Sequence, residues 1–295
     1  INFYLQAQAE FAVLNQILEQ QHNFGRSQYG QQQKVQVEFV SANPTSSLHV
    51  GHGRGAAYGM TVATLLEAIG YQVEREYYVN DAGRQMAILA TSTFLRYLQL
   101  NGAEFKFPSN AYKGDYIFDI AKSVIEAKGT AWQQDINAVF ANVPADEVKN
   151  DTGEVVSGDK EAHIDGLIEN SRQLLGEAGY DVFFKAALTS ILDDIKDDLA
   201  GFGVTYEQWF SEKTLADDGS IHKVVKRLQD NGFIYEKGGA LWFKSTDFGD
   251  EKDRVVVRDN GQATYFASDI AYHLNKYERG LDKIVNIWGA DHHGY

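Results

Sequence analysis

Two histidines three residues apart, His49 and His52, enclose Val50 and Gly51 in the stretch SANPTSSLHVGHGRG, residues 41–55. At the start of a helix, two such imidazoles would stand beside unpaired backbone N–H groups and the positive end of the helix dipole, a setting that favours an anion. Gly51 would let a ligand approach the backbone closely. Donors placed this way suit a phosphate whose charge grows during nucleophilic attack, and one aimed donor is typically worth about 3 kcal/mol. That is phosphoryl or nucleotidyl transfer chemistry. The same four residues also fit a helix cap or a chance pairing. A zinc site is the weakest reading, because the pair lacks cysteine partners and the His-Glu-x-x-His pattern.

The elements that must position the pair are legible in the apolar spacing. Val35 to Val40 reads as a strand, Ser41 to Leu48 as a loop marked by Pro44, and His49 to Ile69 as a helix through Val62, Leu65, Leu66 and Ile69, stopped by Gly70. Tyr71 to Val79 reads as a second strand, Asn80-Asp81 as an N-cap, and Met86 to Tyr97 as a second helix. Strand, helix, strand, helix is the rhythm of a doubly wound parallel sheet. It breaks between about Leu100 and Phe210, where an irregular half and two helical patterns, Ile164 to Ala178 and Val182 to Ala200, predict a largely helical insertion. A helix through Ile221 to Leu228 follows, then hairpins turning at Gly238-Gly239 and Asn260-Gly261, a helix from Ser268 to Glu278 and a buried parallel strand from Ile284 to Trp288. The expected fold class is α/β, a Rossmann-like doubly wound sheet. The expected divisions are 1–34 as a connecting segment, 35–99 as the first Rossmann half, 100–210 as the insertion and 211–295 as hairpins with the start of the second half.

Composition narrows the function classes. The chain has 295 residues, 44% of them hydrophobic, enough for a sizeable core. Its acids outnumber its bases by 41 to 27, a formal charge of −14, which argues against non-specific nucleic-acid binding; a polynucleotide partner would have to meet local basic patches or other segments. The absence of cysteine removes disulfides and thiolate metal sites and fits a reducing compartment. With no long apolar run and no leader pattern, a soluble, cytoplasmic protein without membrane contact is expected.

Taken together, VEFVSANPTSSLHVGHGRGAAYG, REYYVNDAGRQ, TYFASDIAYHLNKYERG and IWGADHHGY resemble the arginyl-tRNA synthetases, in the first class of aminoacyl-tRNA synthetases with its His-x-Gly-His signature. The resemblance implies ATP-dependent activation of arginine to arginyl-adenylate, transfer to tRNA(Arg), magnesium carried with ATP as a substrate rather than in a dedicated metal site, and a monomer. It assigns catalysis to His49 and His52, ATP binding to His49, Gly51, His52, Asp291 and His292, and arginine binding to Glu38, Ser41, Asn43, Tyr265 and Asp269. A planar, permanently charged guanidinium calls for carboxylates at fixed geometry, and Glu38 and Asp269 are the candidates. Other roles remain open for each: Glu38 as a solvent-facing strand residue, Asp269 as a helix cap, Tyr265 as core packing. Asp291-His292-His293 also has the look of a metallophosphoesterase signature, though without the further aspartates such sites need.

Two departures from the family pattern stand out. Ser46-Ser47 replaces the usual Gly-Pro, which predicts a looser loop and weaker ATP binding. The Lys-Met-Ser-Lys-like loop, the N-terminal tRNA-binding domain and the C-terminal anticodon-binding domain lie outside these residues. A catalytic-domain fragment, inactive by itself, is therefore expected. The rival readings are a small-molecule nucleotidyl transferase and a non-catalytic tRNA- or ATP-binding paralogue.

Overall fold

A computed structural model describes residues 3, 4 and 6–289. In chain order the elements are α1 (Ala7–Gln20), β1 (Lys34–Glu38), α2 (Val50–Ala68), β2 (Gln72–Val79), α3 (Arg84–Leu100), α4 (Asp115–Lys128), α5 (Ile136–Val139) and the small hairpin β3 (Val148–Lys149) and β4 (Val155–Ser157). Then come α6 (Lys160–Gly201), β5 (Gln208–Ser211), α7 (Lys213–Asp217), α8 (Ser220–Asp230), β6 (Ile234–Lys237), β7 (Ala240–Phe243), β8 (Arg254–Val257), α9 (Tyr265–Glu278) and β9 (Lys283–Asn286).

Among the described residues, four strands form one parallel sheet in the order β5-β2-β1-β9. The chain winds outward from β1 to β2 and β5, then returns to place β9 on the other side of β1. The order therefore reverses between β1 and β9, and in such sheets the crevice beyond the strands' carboxyl ends at that point receives ligands. Glu38 and Asn286 are register partners there.

Alternation along the strands assigns the two faces. Val35, Val37 and Phe39 of the β1 segment join Tyr77 and Val79 of β2 in an apolar core completed by Ala56 and Ala63 of α2, Met86 and Leu89 of α3, and Ile191 and Ile195 of α6. The other face carries Gln36, Glu38, Glu74 and Glu76, and α9 lies over it, reaching those acids through Tyr272, Lys276 and Arg279.

A second core joins α3 to α4 and α6, and in it Phe94 and Tyr97 of α3 meet Phe183 of α6 edge to face. The two helical patterns expected there run as one helix across a kink at Gly176, whose φ of 62° suits glycine. The half expected to be irregular contains α4, which buries Ile117, Ile120, Ala121 and Val124 on one stripe. Phe210 belongs to β5, a strand short enough that its apolar pattern did not stand out.

Three further local expectations change. The predicted Asn80-Asp81 cap is not one: Gly83 is the N-cap of α3, and Asp81 instead accepts hydrogen bonds from Ser211 Oγ at 2.6 Å and Lys213 N at 2.9 Å. The second hairpin turns at Asn260-Gly261 as expected but is short, held by the Val257–Ala263 bridge and the hydrogen bonds Arg258 N to Gln262 O and Thr264 N to Val256 O, with α9 beginning at Tyr265 rather than Ser268. The last strand, expected over Ile284 to Trp288, spans Lys283–Asn286, and among the described residues it pairs with β1 alone and is partly exposed.

Candidate active site at the sheet switch point

The histidine pair sits where β1 hands over to α2. His49 is the N-cap, and its Nδ1 accepts from Gly51 N at 3.1 Å, while His52 Nδ1 accepts from His49 N at 3.3 Å. The rings stack with centroids 3.7 Å apart. A Cβ on Gly51 would fall 2.9 Å from His49 Cε1, so any larger residue there would displace that ring. With both Nδ1 atoms accepting, the proton of each neutral ring resides on Nε2, so two N–H donors face away from the cap. Burial, and then the neighbouring His49, holds His52 below the usual histidine range and so in this neutral form near pH 7. The helix-cap reading and the donor reading are thus compatible. One ring nitrogen serves each.

The acids gather around the end of β1. Val40 and Ser41 take φ values of 66° and 42°, a left-handed conformation costly for any residue with a Cβ and most of all for a β-branched one. The turn aims Ser41 Oγ back, so that it donates to Glu38 Oε1 at 3.1 Å and accepts from Tyr78 N at 3.1 Å. Glu38 is buried, not solvent-facing. Its Oε2 accepts from Tyr272 OH at 3.0 Å and lies 2.5 Å from Lys276 Nζ. Asp269 sits inside the second turn of α9 and does not cap it; among the described residues no hydrogen bond or ion pair reaches its carboxylate. Burial, and then Glu38, raises its pKa, opposed by His273 and Lys276. Tyr265 is exposed rather than packed in the core, with its OH over Gly83, where a Cβ would stand 2.9 Å from it. Asn43 is exposed, its amide 3.1 Å from that of Asn80, which lies 2.7 Å from Glu212 Oε2.

The five arginine-site candidates therefore gather along one edge of the sheet. Glu38 and Ser41 are bonded, Asp269 is electrostatically coupled to Glu38, Asn43 joins through Asn80 and Glu212, and Tyr265 covers the start of α3. The histidines touch none of them, but stand at the carboxyl edge of the same strand, across the loop 39–48. Asp291, His292 and His293 lie outside the described residues.

Sequence reasoning missed Tyr78, Glu212, Tyr272 and Lys276. Helical spacing offered a signal for two of these, because Tyr272 and Lys276 follow Asp269 by three and seven residues and so share its face. Tyr272 OH also lies within hydrogen-bond reach of Glu76 Oε1, so its one proton is shared between two carboxylates. Glu212 gave no signal in its own surroundings. It is buried after β5, pushed up to about 7 by burial and then by Asp269 and Asp81, against hydrogen bonds from Tyr78 and Ser268. Among the described residues no group of three or more His, Asp or Glu could hold a metal ion, and no helix is long and apolar enough to cross a membrane.

A family model described as tRNA synthetases class I (R), catalytic domain, matches residues 13–106 and 169–295, and the chain belongs to that family. The arginine–tRNA ligases of Acinetobacter baumannii strain AYE and Psychrobacter cryohalolentis are 63% and 62% identical to it over its whole length. The chain covers 50% and 49% of those proteins, so it spans about half the length of the curated relatives it matches. A solved Campylobacter jejuni structure described as an arginyl-tRNA synthetase aligns with a TM-score of 0.75 at 32% identity, over 99% of this chain and 55% of that one. The Thermus thermophilus arginyl-tRNA synthetase, 24% identical with a TM-score of 0.58 over 92% of this chain and 40% of its own, shares the fold.

Proposed function

We propose that this chain forms the arginine-activating centre of an arginine–tRNA ligase, using ATP, arginine and tRNA(Arg). One observation carries the reading: two outward Nε2–H donors at a helix start and an open carboxylate, Asp269, share the carboxyl edge of one sheet. In the first step an arginine carboxylate oxygen attacks the α-phosphorus of ATP, a C(O)–O–P bond forms, and pyrophosphate leaves. Negative charge builds on the phosphate oxygens as this happens. His49 and His52, with the first N–H groups of α2, stabilise it by hydrogen bonds that strengthen in the transition state. In the second step the terminal ribose hydroxyl of the tRNA attacks the activated carbonyl, an ester bond forms, the bond from the carbonyl carbon to the phosphate oxygen breaks, and AMP leaves.

The guanidinium lies against Asp269, with Tyr265 beside it and Glu38, Ser41 and Asn43 forming the wall toward β1. Lysine offers no planar fork and leaves part of that acceptor surface unmet, a defect that gives discrimination of roughly ten-thousand-fold in sites of this kind. Magnesium arrives with the ATP phosphates as part of that substrate, and Asp291 and His292 complete the adenosine side. The setting is a cytoplasmic monomer. Aminoacylation of tRNA(Arg) by the full-length protein tests the reading. Arginine should be charged and lysine should not, and charging of another amino acid, or ATP turnover independent of arginine, would overturn it.

A further inference from the structure

Lys276 is fully buried, and three groups surround its Nζ: Glu38 Oε2 at 2.5 Å, Asn286 Oδ1 at 2.8 Å, and the Tyr272 ring, 4.2 Å from Nζ to centroid. Glu38 and Asn286 are the register partners that end β1 and β9 on either side of the switch point. One ammonium group therefore bridges the last residues of β1 and β9. The connection continues, because Asn286 Nδ2 reaches His273 Nε2 at 3.2 Å and His273 Nδ1 reaches the Asp269 carbonyl at 2.9 Å. Glu38 and the Asp269 backbone carbonyl are thereby parts of one bonded chain, and of the two carboxylates only Glu38 has a direct ion-pair partner among the described residues, while His273 and Lys276 act on Asp269 through space.

Resting on the arginine reading above, we infer that Lys276 is a specificity-positioning residue: as the internal counter-cation of the switch point it holds Glu38 fixed and neutralised, leaving Asp269 as the open carboxylate for the single guanidinium of the substrate. A pocket built this way presents one open charge for one incoming side-chain charge. Without the ammonium, a buried carboxylate loses its partner, the β1–β9 clasp opens, and the wall that arginine packs against shifts; displacements of about 1 Å in such sites cost up to roughly a hundredfold. ATP, held at the start of α2, does not lean on this clasp.

The test is steady-state aminoacylation by the full-length protein carrying Lys276→Met, Lys276→Arg, Glu38→Gln, or Glu38→Gln with Lys276→Met, each checked for folding by thermal melting. The expected result for Lys276→Met is a KM for arginine raised about tenfold or more with the KM for ATP within about twofold, while Lys276→Arg, which keeps the cation, stays within about threefold of wild type. The double variant should match Glu38→Gln alone, because Lys276 acts through Glu38. Should Lys276→Met fail to fold, that last comparison decides, since the double variant carries a neutral pair: equal arginine KM values support the inference and a further tenfold loss overturns it. An unchanged arginine KM in folded Lys276→Met, or a parallel loss in arginine KM, ATP KM and kcat, also overturns it. Failure of the underlying reading looks different: the wild-type protein would then charge no arginine, or Asp269→Asn would charge it normally.

Discussion

The two faces of the parallel sheet are built from alternate residues of the same strands, yet they use opposite physics. On one face Val35, Val37, Phe39, Tyr77 and Val79 pack dry against α2, α3 and α6. On the other, Glu38, Glu74 and Glu76 meet Tyr272, Lys276 and Arg279 of α9, and Gln36 is fully buried with neither amide atom paired. The apolar face gains stability from area removed from water, about 25 cal/mol per Å². The charged face gains little net stability, because desolvating ions offsets most of their attraction. A fold selected for stability alone would have no need of it. Under the proposed function its placement at the switch point has another use: it would fix polar atoms where a cationic side chain and a polyphosphate are told apart.

That contrast can be broken at several points. The largest effect should come from Asp269→Asn in the full-length protein, which removes the open carboxylate. We expect kcat/KM for arginine to fall by about a thousandfold or more with melting temperature nearly unchanged, measured by aminoacylation and calorimetric melting. Leu89→Ala, in the apolar core, should do the reverse, costing about 3 kcal/mol in urea unfolding while leaving the KM for arginine within about twofold. His52→Ala should slow adenylate formation about a hundredfold in single-turnover kinetics, equivalent to about 2.7 kcal/mol, without changing the arginine KM; an unchanged rate would remove the phosphate role.

The smallest effect is a pH dependence. Glu212 is raised in the folded state to about 7 from an unfolded value near 4.5, so the native protein holds its proton more tightly than the unfolded chain does. The stability this contributes is fully present below about pH 4.5 and is lost as pH rises through about 7, on the order of 2 kcal/mol after discounting for solvent. Glu212→Gln should flatten that part of the profile in urea melts at pH 5, 6, 7 and 8. An identical slope in the variant would show that another group carries it.

The same contrast explains what was legible in the sequence. Period-2 and period-3.6 apolar spacing revealed β1, β2, α2, α3 and the β6–β7 hairpin, since burying an apolar face leaves a repeating mark. The kinked α6 read as two helices because Gly176 interrupts the spacing. The charged face leaves no such mark. Glu38, Ser41, Asn43, Tyr265 and Asp269 were reached through family resemblance, whereas Lys276 and Glu212 meet their partners only after distant segments pack, with Lys276 lying 238 residues from Glu38. Asp81 misled for a related reason: an aspartate ahead of a helix resembles a cap, and only the approach of Ser211 and Lys213 gives it another task.

The most direct measurement is a crystal structure of the full-length protein with arginine and a non-hydrolysable ATP analogue. The guanidinium should lie within hydrogen-bonding distance of Asp269, with Lys276 still clasping Glu38 and Asn286, and the α-phosphate within reach of Nε2 of His49 or His52. Arginine bound away from the β1–β9 edge, or a triphosphate that leaves both imidazoles untouched, would contradict the account.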